Sequence, residues 1–149
     1  MENESEHSVV ITGASRGIGR RIAQAFARET NFALLLIARS KSDLEDTKTL
    51  CAKLSNNKIA VVACDVSNSK AVQNIKLAES FPTPKIIINN AGSFLLKPLQ
   101  RTDPEEFEQQ IQANLYTAVH VTNRFFNDLK AKNHALIINI CSEGATVGL

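Results

Sequence analysis

The chain has 149 residues, 44% of them hydrophobic and 21% charged; this is the length of one domain with enough apolar material for a core, and it excludes a disordered polymer. Its 17 basic and 15 acidic residues leave a formal charge of +2 with no basic run interleaved with aromatics, so charge gives no reason to invoke nucleic acid. The longest apolar stretch, 32–38, is too short to cross a bilayer, and the acidic, polar opening from Met1 to His7 does not have the form of a signal peptide.

In chain order, residues 8–12 are the first of five short apolar runs, followed by 32–38, 58–64, 85–89 and 135–140. Each is too short for a buried helix and near-continuous rather than alternating, the pattern of strands covered on both faces of a parallel sheet. A glycine-rich loop follows the first run. A helical pattern then spans 16–29, with Ile18, Ile22, Ala25 and Phe26 on one face and Arg20, Arg21, Gln24 and Arg28 elsewhere. Shorter helices are predicted over 44–54 and 71–78, and 94–101, with Pro98, reads as a loop. A long helix begins at Asp103 as N-cap, with Pro104 at the first helical position and Glu106 completing a capping box. Its stripe runs Phe107, Ile111, Leu115, Ala118, Val119, Thr122, Phe126 and Leu129. Five alternations of strand and helix predict a single α/β domain over 1–149, an open doubly wound parallel sheet of the Rossmann type in the order 3-2-1-4-5.

Cys51, Cys64 and Cys141 have no CxxC spacing, and His7, His120 and His134 are scattered, so no metal site is expected. Reduced, mostly buried thiols in a cytoplasmic protein are the expectation.

The loop Thr12-Gly13-Ala14-Ser15-Arg16-Gly17-Ile18-Gly19 lies between the first strand and the first helix. There the chain must turn sharply, approach a pyrophosphate without a Cβ in the way, and let the helix pack close to the strand. The helix amino end then offers free N–H groups and a positive dipole to phosphates. A P-loop is excluded, because no Gly-Lys-Ser/Thr follows. The spacing Gly13-x-x-x-Gly17-x-Gly19 resembles the short-chain dehydrogenase/reductase family, and other motifs agree in order from Val9 to the end of the chain. They are Asp65-Val66 after the third strand, Asn89-Asn90-Ala91-Gly92 after the fourth, Asn114 in the long helix, and Asn139-Ile140-Cys141-Ser142 ending the fifth.

The resemblance assigns Gly13, Ser15, Arg16, Gly17, Ile18 and Gly19 to the dinucleotide. It gives Asp65 the adenine amino group, with Val66 contributing its backbone. Asn90 and Gly92 line the crevice beside the nicotinamide ribose, while Asn89 ties strands together. Asp65 and Ser67 are also both suited to cap the helix that follows. An NAD-specific site places a carboxylate at the end of the second strand, about 20 residues past the glycine loop. This chain has Ala38-Arg39-Ser40 there and no carboxylate before Asp43. Arg39 can grip a 2′-phosphate through two parallel charge-assisted hydrogen bonds, Arg16 adds a second cation and Ser40 a hydroxyl, so NADP is the expected cofactor.

By the same resemblance, Ser142 is the catalytic serine that holds the substrate oxygen, and Asn114 the asparagine that supports a proton relay. The family's Tyr-x-x-x-Lys pair does not occur. The one tyrosine, Tyr116, shares a helix with Asn114 and is followed at i+4 by His120. The resemblance therefore implies the N-terminal, cofactor-binding portion of an NADP(H)-dependent short-chain reductase, lacking the C-terminal part of the family fold and inactive alone. The implied substrate is a ketone or aldehyde, either a 3-oxoacyl thioester on a carrier protein or a small carbonyl of the sepiapterin reductase type. No nucleic acid or membrane partner is expected, and the complete protein is expected to be a homo-oligomer. The rival reading is a naturally short, non-catalytic dinucleotide-binding or interaction protein. With the fifth strand as an apolar sheet edge and one face of the long helix uncovered, the chain by itself is expected to associate.

Overall fold

The first strand, β1 (His7–Thr12), runs into the glycine loop, and α1 (Gly17–Glu29) carries the chain back to β2 (Ala33–Ala38). Next come α2 (Lys41–Ala52), β3 (Ile59–Ala63), α3 (Ser69–Gln73) and β4 (Thr83–Asn89). The chain continues through α4 (Pro104–Ile111), a π turn (Gln112–Tyr116), α5 (Thr117–Lys130) and β5 (Leu136–Asn139). This computed structural model describes residues 4–142. The strands pair in parallel in the order β3-β2-β1-β4-β5, which is the predicted doubly wound sheet.

Successive side chains of a strand point to opposite faces, and each face here has its own core. Val9, Ile11, Leu34, Leu36 and Ile88 pack under α1 and α2, with Ala23, Ala27, Leu44 and Cys51 opposite them. Val10, Leu35, Ile37 and Ile87 pack on the other face against Val72, Ile75, Val121, Phe125 and Leu129. Val10 is opposite Leu35 on one side and Ile87 on the other, so the centre of the sheet is apolar in every direction. Two covered faces are why the strand sequences run apolar without alternation.

Three helices differ from expectation. In α1 the buried residues are Gly19, Ala23 and Ala27, while Ile22 and Phe26 flank the contact and Ile18 is 62% exposed. Small side chains let the helix axis come close to the sheet. The predicted 71–78 helix is only Ser69–Gln73, capped by Asn68 rather than by Asp65 or Ser67. Beyond it, Ile75 turns into the core.

The long helix shows the largest difference. The capping box forms as expected: Asp103 Oδ1 accepts from Glu106 N at 2.8 Å, and Glu106 Oε2 accepts from Asp103 N at 3.1 Å. A π turn then separates α4 from α5, with Thr117 N donating to Gln112 O. The carbonyl of Ala113, left by that shift, accepts from the Thr117 hydroxyl at 3.1 Å. The stripe on the sheet is Thr117, Val121, Phe125 and Leu129. Phe107, Leu115, Val119 and Phe126 of the predicted stripe lie exposed. The sequence carries two apolar stripes here, and only packing on the sheet, in the cluster with Val10, Leu35 and Ile87, selects one.

Candidate functional site

In a doubly wound sheet the crevice opens beyond the carboxyl ends of the strands, where the order reverses beside β1. The structure brings the sequence-predicted residues to that end. The glycine loop follows β1, Arg39 and Ser40 follow β2, Asp65 and Val66 follow β3, Asn90 and Gly92 follow β4, and Ser142 follows β5. Asn114 reaches the same end from the π turn.

The glycines meet distinct steric demands. Gly13 has φ +64 and Gly17 φ +56, left-handed values that cost other residues about 1 kcal/mol. Gly19 has a packing reason: a Cβ there would stand 2.4 Å from Gly13 O and 2.6 Å from Asn90 Nδ2. Gly17 is the reverse, with nothing within 4 Å of a Cβ. Arg16 precedes α1 in extended conformation with no side-chain cap, and the first turn of α1 contains no acidic residue. Among the described residues, then, the amino end of a 13-residue helix is uncapped by any side chain and opens onto free space at Gly17. That arrangement suits a phosphate, and Ile18 sets an exposed apolar surface beside it. Ser15 supplies the loop carbonyl that Arg20 holds.

Asn90 is aimed at the loop. Its Nδ2 donates to Thr12 O at 3.0 Å and to Gly13 O at 3.4 Å, so its amide clamps the turn that the cofactor reading requires. The Thr12 hydroxyl, buried at the end of β1, completes the clamp by accepting from Asn90 N at 3.0 Å and Ala91 N at 2.9 Å. Sequence reasoning does not single out Thr12, although a lone hydroxyl ending an apolar strand is the signal that could have found it. Asn89 ties strands: its Nδ2 donates to Asn139 Oδ1 at 2.9 Å across β4 and β5.

Around the predicted adenine position, Asp65 Oδ1 accepts from Ser67 Oγ at 2.8 Å and from Ser67 N at 3.0 Å. The Ser67 hydroxyl chiefly, with the nearby Arg39 charge, holds the Asp65 carboxyl below its ordinary pKa despite some desolvation. Asp65 is therefore an anionic acceptor in a fixed orientation. His120 Nδ1 lies 3.2 Å from Val66 O, which ties that turn to α5, and the Tyr116 ring lies 6.0 Å from the His120 ring. Ser40 caps α2, accepting from Asp43 N at 3.3 Å, and leaves Arg39 exposed at the end of β2.

Asn114 joins the π turn to the segment after β4. Its Oδ1 accepts from Ser93 N at 3.0 Å, and its Nδ2 donates to Gln110 O at 2.9 Å. A Cβ on Gly92 would stand 2.7 Å from Asn114 Oδ1, so Gly92 is what permits the contact. The Asn114 side chain is thus engaged in holding backbone. Ser142 is exposed, three positions past the end of β5.

A cleft of about 740 Å³ lies at the opposite end of the strands, between 27–31 and 55–58. Its polar groups serve one another: Asn57 Nδ2 donates to Thr30 O and Phe32 O, and Arg28 pairs with Glu29. The strand-end crevice, where the glycine loop and the charged residues meet, is the better candidate.

Comparison with known proteins identifies the family. Residues 7–149 match the short chain dehydrogenase family, and the chain belongs to that family. It is 32% identical to 2,3-dihydroxy-2,3-dihydro-p-cumate dehydrogenase of Pseudomonas putida, over 94% of this chain and 54% of that protein. It is 34% identical to sulfoacetaldehyde reductase 2 of Chromohalobacter salexigens, over 77% of this chain and 46% of that protein. Among solved structures, an alcohol dehydrogenase of Thermococcus sibiricus complexed with 5-hydroxy-NADP superposes with a TM-score of 0.81 at 33% identity, over 89% of this chain and 57% of that one. The chain spans about half the length of the curated relatives it matches.

Proposed function

We propose that this member of the short chain dehydrogenase family forms the cofactor-binding part of an NADP(H)-dependent reductase of ketones or aldehydes. The observation that carries the reading is the pair of exposed guanidinium groups, Arg16 at the uncapped end of α1 and Arg39 at the end of the adjacent β2, with no carboxylate from Arg39 to Lys41. A carboxylate on β2 would repel a 2′-phosphate, and two guanidinium groups attract it. The complex of the Thermococcus relative with 5-hydroxy-NADP supports the same cofactor class.

When bound, the nicotinamide supplies the hydride. The chain's own residues bind and orient it. Gly17, Ile18 and Gly19 offer backbone N–H groups and the α1 dipole to the pyrophosphate, Asp65 and Val66 accept the adenine, and Asn90 and Gly92 shape the ribose crevice. Ser142 donates to the oxygen of the carbonyl substrate, a small-molecule ketone or aldehyde or a carrier-protein thioester. Asn114 holds the helix turn beside it and supports the relay. Residues 1–149 contain no Tyr-x-x-x-Lys to serve as proton donor, so on their own they bind dinucleotide without turnover. By the family resemblance, the complete protein is assigned to the cytoplasm as a homo-oligomer.

Fluorescence titration with NADPH and NADH tests the assignment. The chain binds NADPH in preference, and Arg39→Asp costs NADPH about tenfold or more while sparing NADH. Unchanged relative affinity in the variant overturns the NADP reading.

A further inference from the structure

The glycine loop is held from below by two residues of other elements. Thr47, fully buried in α2, brings its hydroxyl within 3.0 Å of Ala14 O and 3.0 Å of Asp43 O, and accepts from Arg20 Nε at 2.9 Å. Arg20, in α1, completes a fork. Its Nη2 donates to Ser15 O and, at 3.4 Å, to Asp43 O. These partners are carbonyls and a hydroxyl, and none is a carboxylate. No carboxylate among these partners offsets the guanidinium charge beside the loop proposed to take the phosphates, and its planar donors fix geometry.

The two ends of this network lead to the two cations of the proposed clamp. Ser15, whose carbonyl Arg20 holds, is the residue before Arg16. Asp43, whose carbonyl Arg20 and Thr47 both contact, has its N–H capped by Ser40, the residue after Arg39. Ala14 N also donates to Ile37 O at 3.3 Å, linking loop and strand close to the same point. Arg16 and Arg39 come from separate segments and carry like charges, so they do not hold each other in place. One buried hydroxyl and one guanidinium bridge the segments instead.

We infer that the Arg20–Thr47 pair is a positioning device that sets the spacing of Arg16 and Arg39, and so determines the preference for the 2′-phosphorylated dinucleotide. The inference rests on the cofactor reading above and adds two residues that touch no ligand. Their effect is on discrimination: loosening the bridge lets the cations drift from the 2′-phosphate, which NADH lacks.

The test measures NADPH and NADH dissociation constants and thermal midpoints for the full 149-residue chain, Thr47→Val, Thr47→Ser and Arg20→Lys. Thr47→Val removes the hydroxyl at nearly constant shape. It is expected to weaken NADPH binding about tenfold and NADH binding far less, so that the preference falls. Arg20→Lys, which keeps the charge and loses the fork, reproduces that fall, and Thr47→Ser retains the wild-type ratio. A lowered thermal midpoint with an unchanged NADPH-to-NADH ratio in both Thr47→Val and Arg20→Lys overturns the inference and leaves the cofactor reading standing. A wild-type chain that shows no preference for NADPH overturns the cofactor reading itself, and the inference with it.

Discussion

Gly19 lies in the first turn of α1, where alanine is the better helix former by about 1 kcal/mol, so local preference alone makes Gly19→Ala stabilising. The tertiary contacts oppose it. The added Cβ would stand 2.4 Å from Gly13 O, 2.8 Å from Gly13 C and 2.6 Å from Asn90 Nδ2, against 3.4 Å or more for an ordinary contact. The loop and α1 must separate by about 1 Å to admit it. Overpacking of this kind costs about 1–3 kcal/mol, which offsets the helix gain and leaves a net loss of up to about 2 kcal/mol. The separation also pulls Gly13 and Thr12 from the Asn90 amide, whose bonds to them are 3.4 and 3.0 Å. Under the cofactor assignment proposed above, affinity for NADPH falls with stability, by about tenfold or more. The measurement is urea denaturation alongside an NADPH titration. A Gly19→Ala chain at least as stable as wild type, with the same NADPH affinity, would refute the claim that this glycine is required by close approach.

Three further outcomes are expected. The lowered pKa of Asp65 means that its stabilising interactions are complete above the ordinary carboxylate value of about 3.9 and are lost as pH falls through the lowered folded value. Ser67→Ala removes the main cause, so the Asp65 carboxyl titrates at higher pH by NMR; an unmoved midpoint counts against the Ser67 assignment. Burial pushes the thiols of Cys51 and Cys64 up, with the Asp65 charge adding at Cys64, whereas Cys141 is exposed. Iodoacetamide on the native chain should label Cys141 first by peptide mass spectrometry, and early labelling of Cys51 contradicts the packing described. Leu136 and Ile137 on the outer strand β5 and Phe107, Val119 and Phe126 along α4 and α5 are each exposed, so the chain should self-associate. A clean monomer by light scattering at micromolar concentration rejects this.

The sheet order, the glycine loop and the Asp103 capping box are legible in the sequence, because each is written in patterns that are local along the chain. Five apolar runs separated by helical spacing admit few right-handed parallel topologies, and a capping box spans four positions. The cations at Arg16 and Arg39 are readable for the same reason, since their places follow from the loop and the end of the second strand. Contacts between residues distant in sequence are not readable. Arg20 has the pattern of an outward-facing arginine on an amphipathic helix, yet its partner in the fold is Thr47, 27 residues away. Thr12 acquires its role only because β4 brings Asn90 and Ala91 beside it. Two apolar stripes compete on α5, and neither periodicity nor propensity can choose between them. The choice is made by the sheet, where Val121, Phe125 and Leu129 meet Val10, Leu35 and Ile87, because burial against a second surface is decided by the partner that surface presents. The sequence alone determined which strands exist and where the glycine loop lies; the folded chain decided which side chains hold that loop in place.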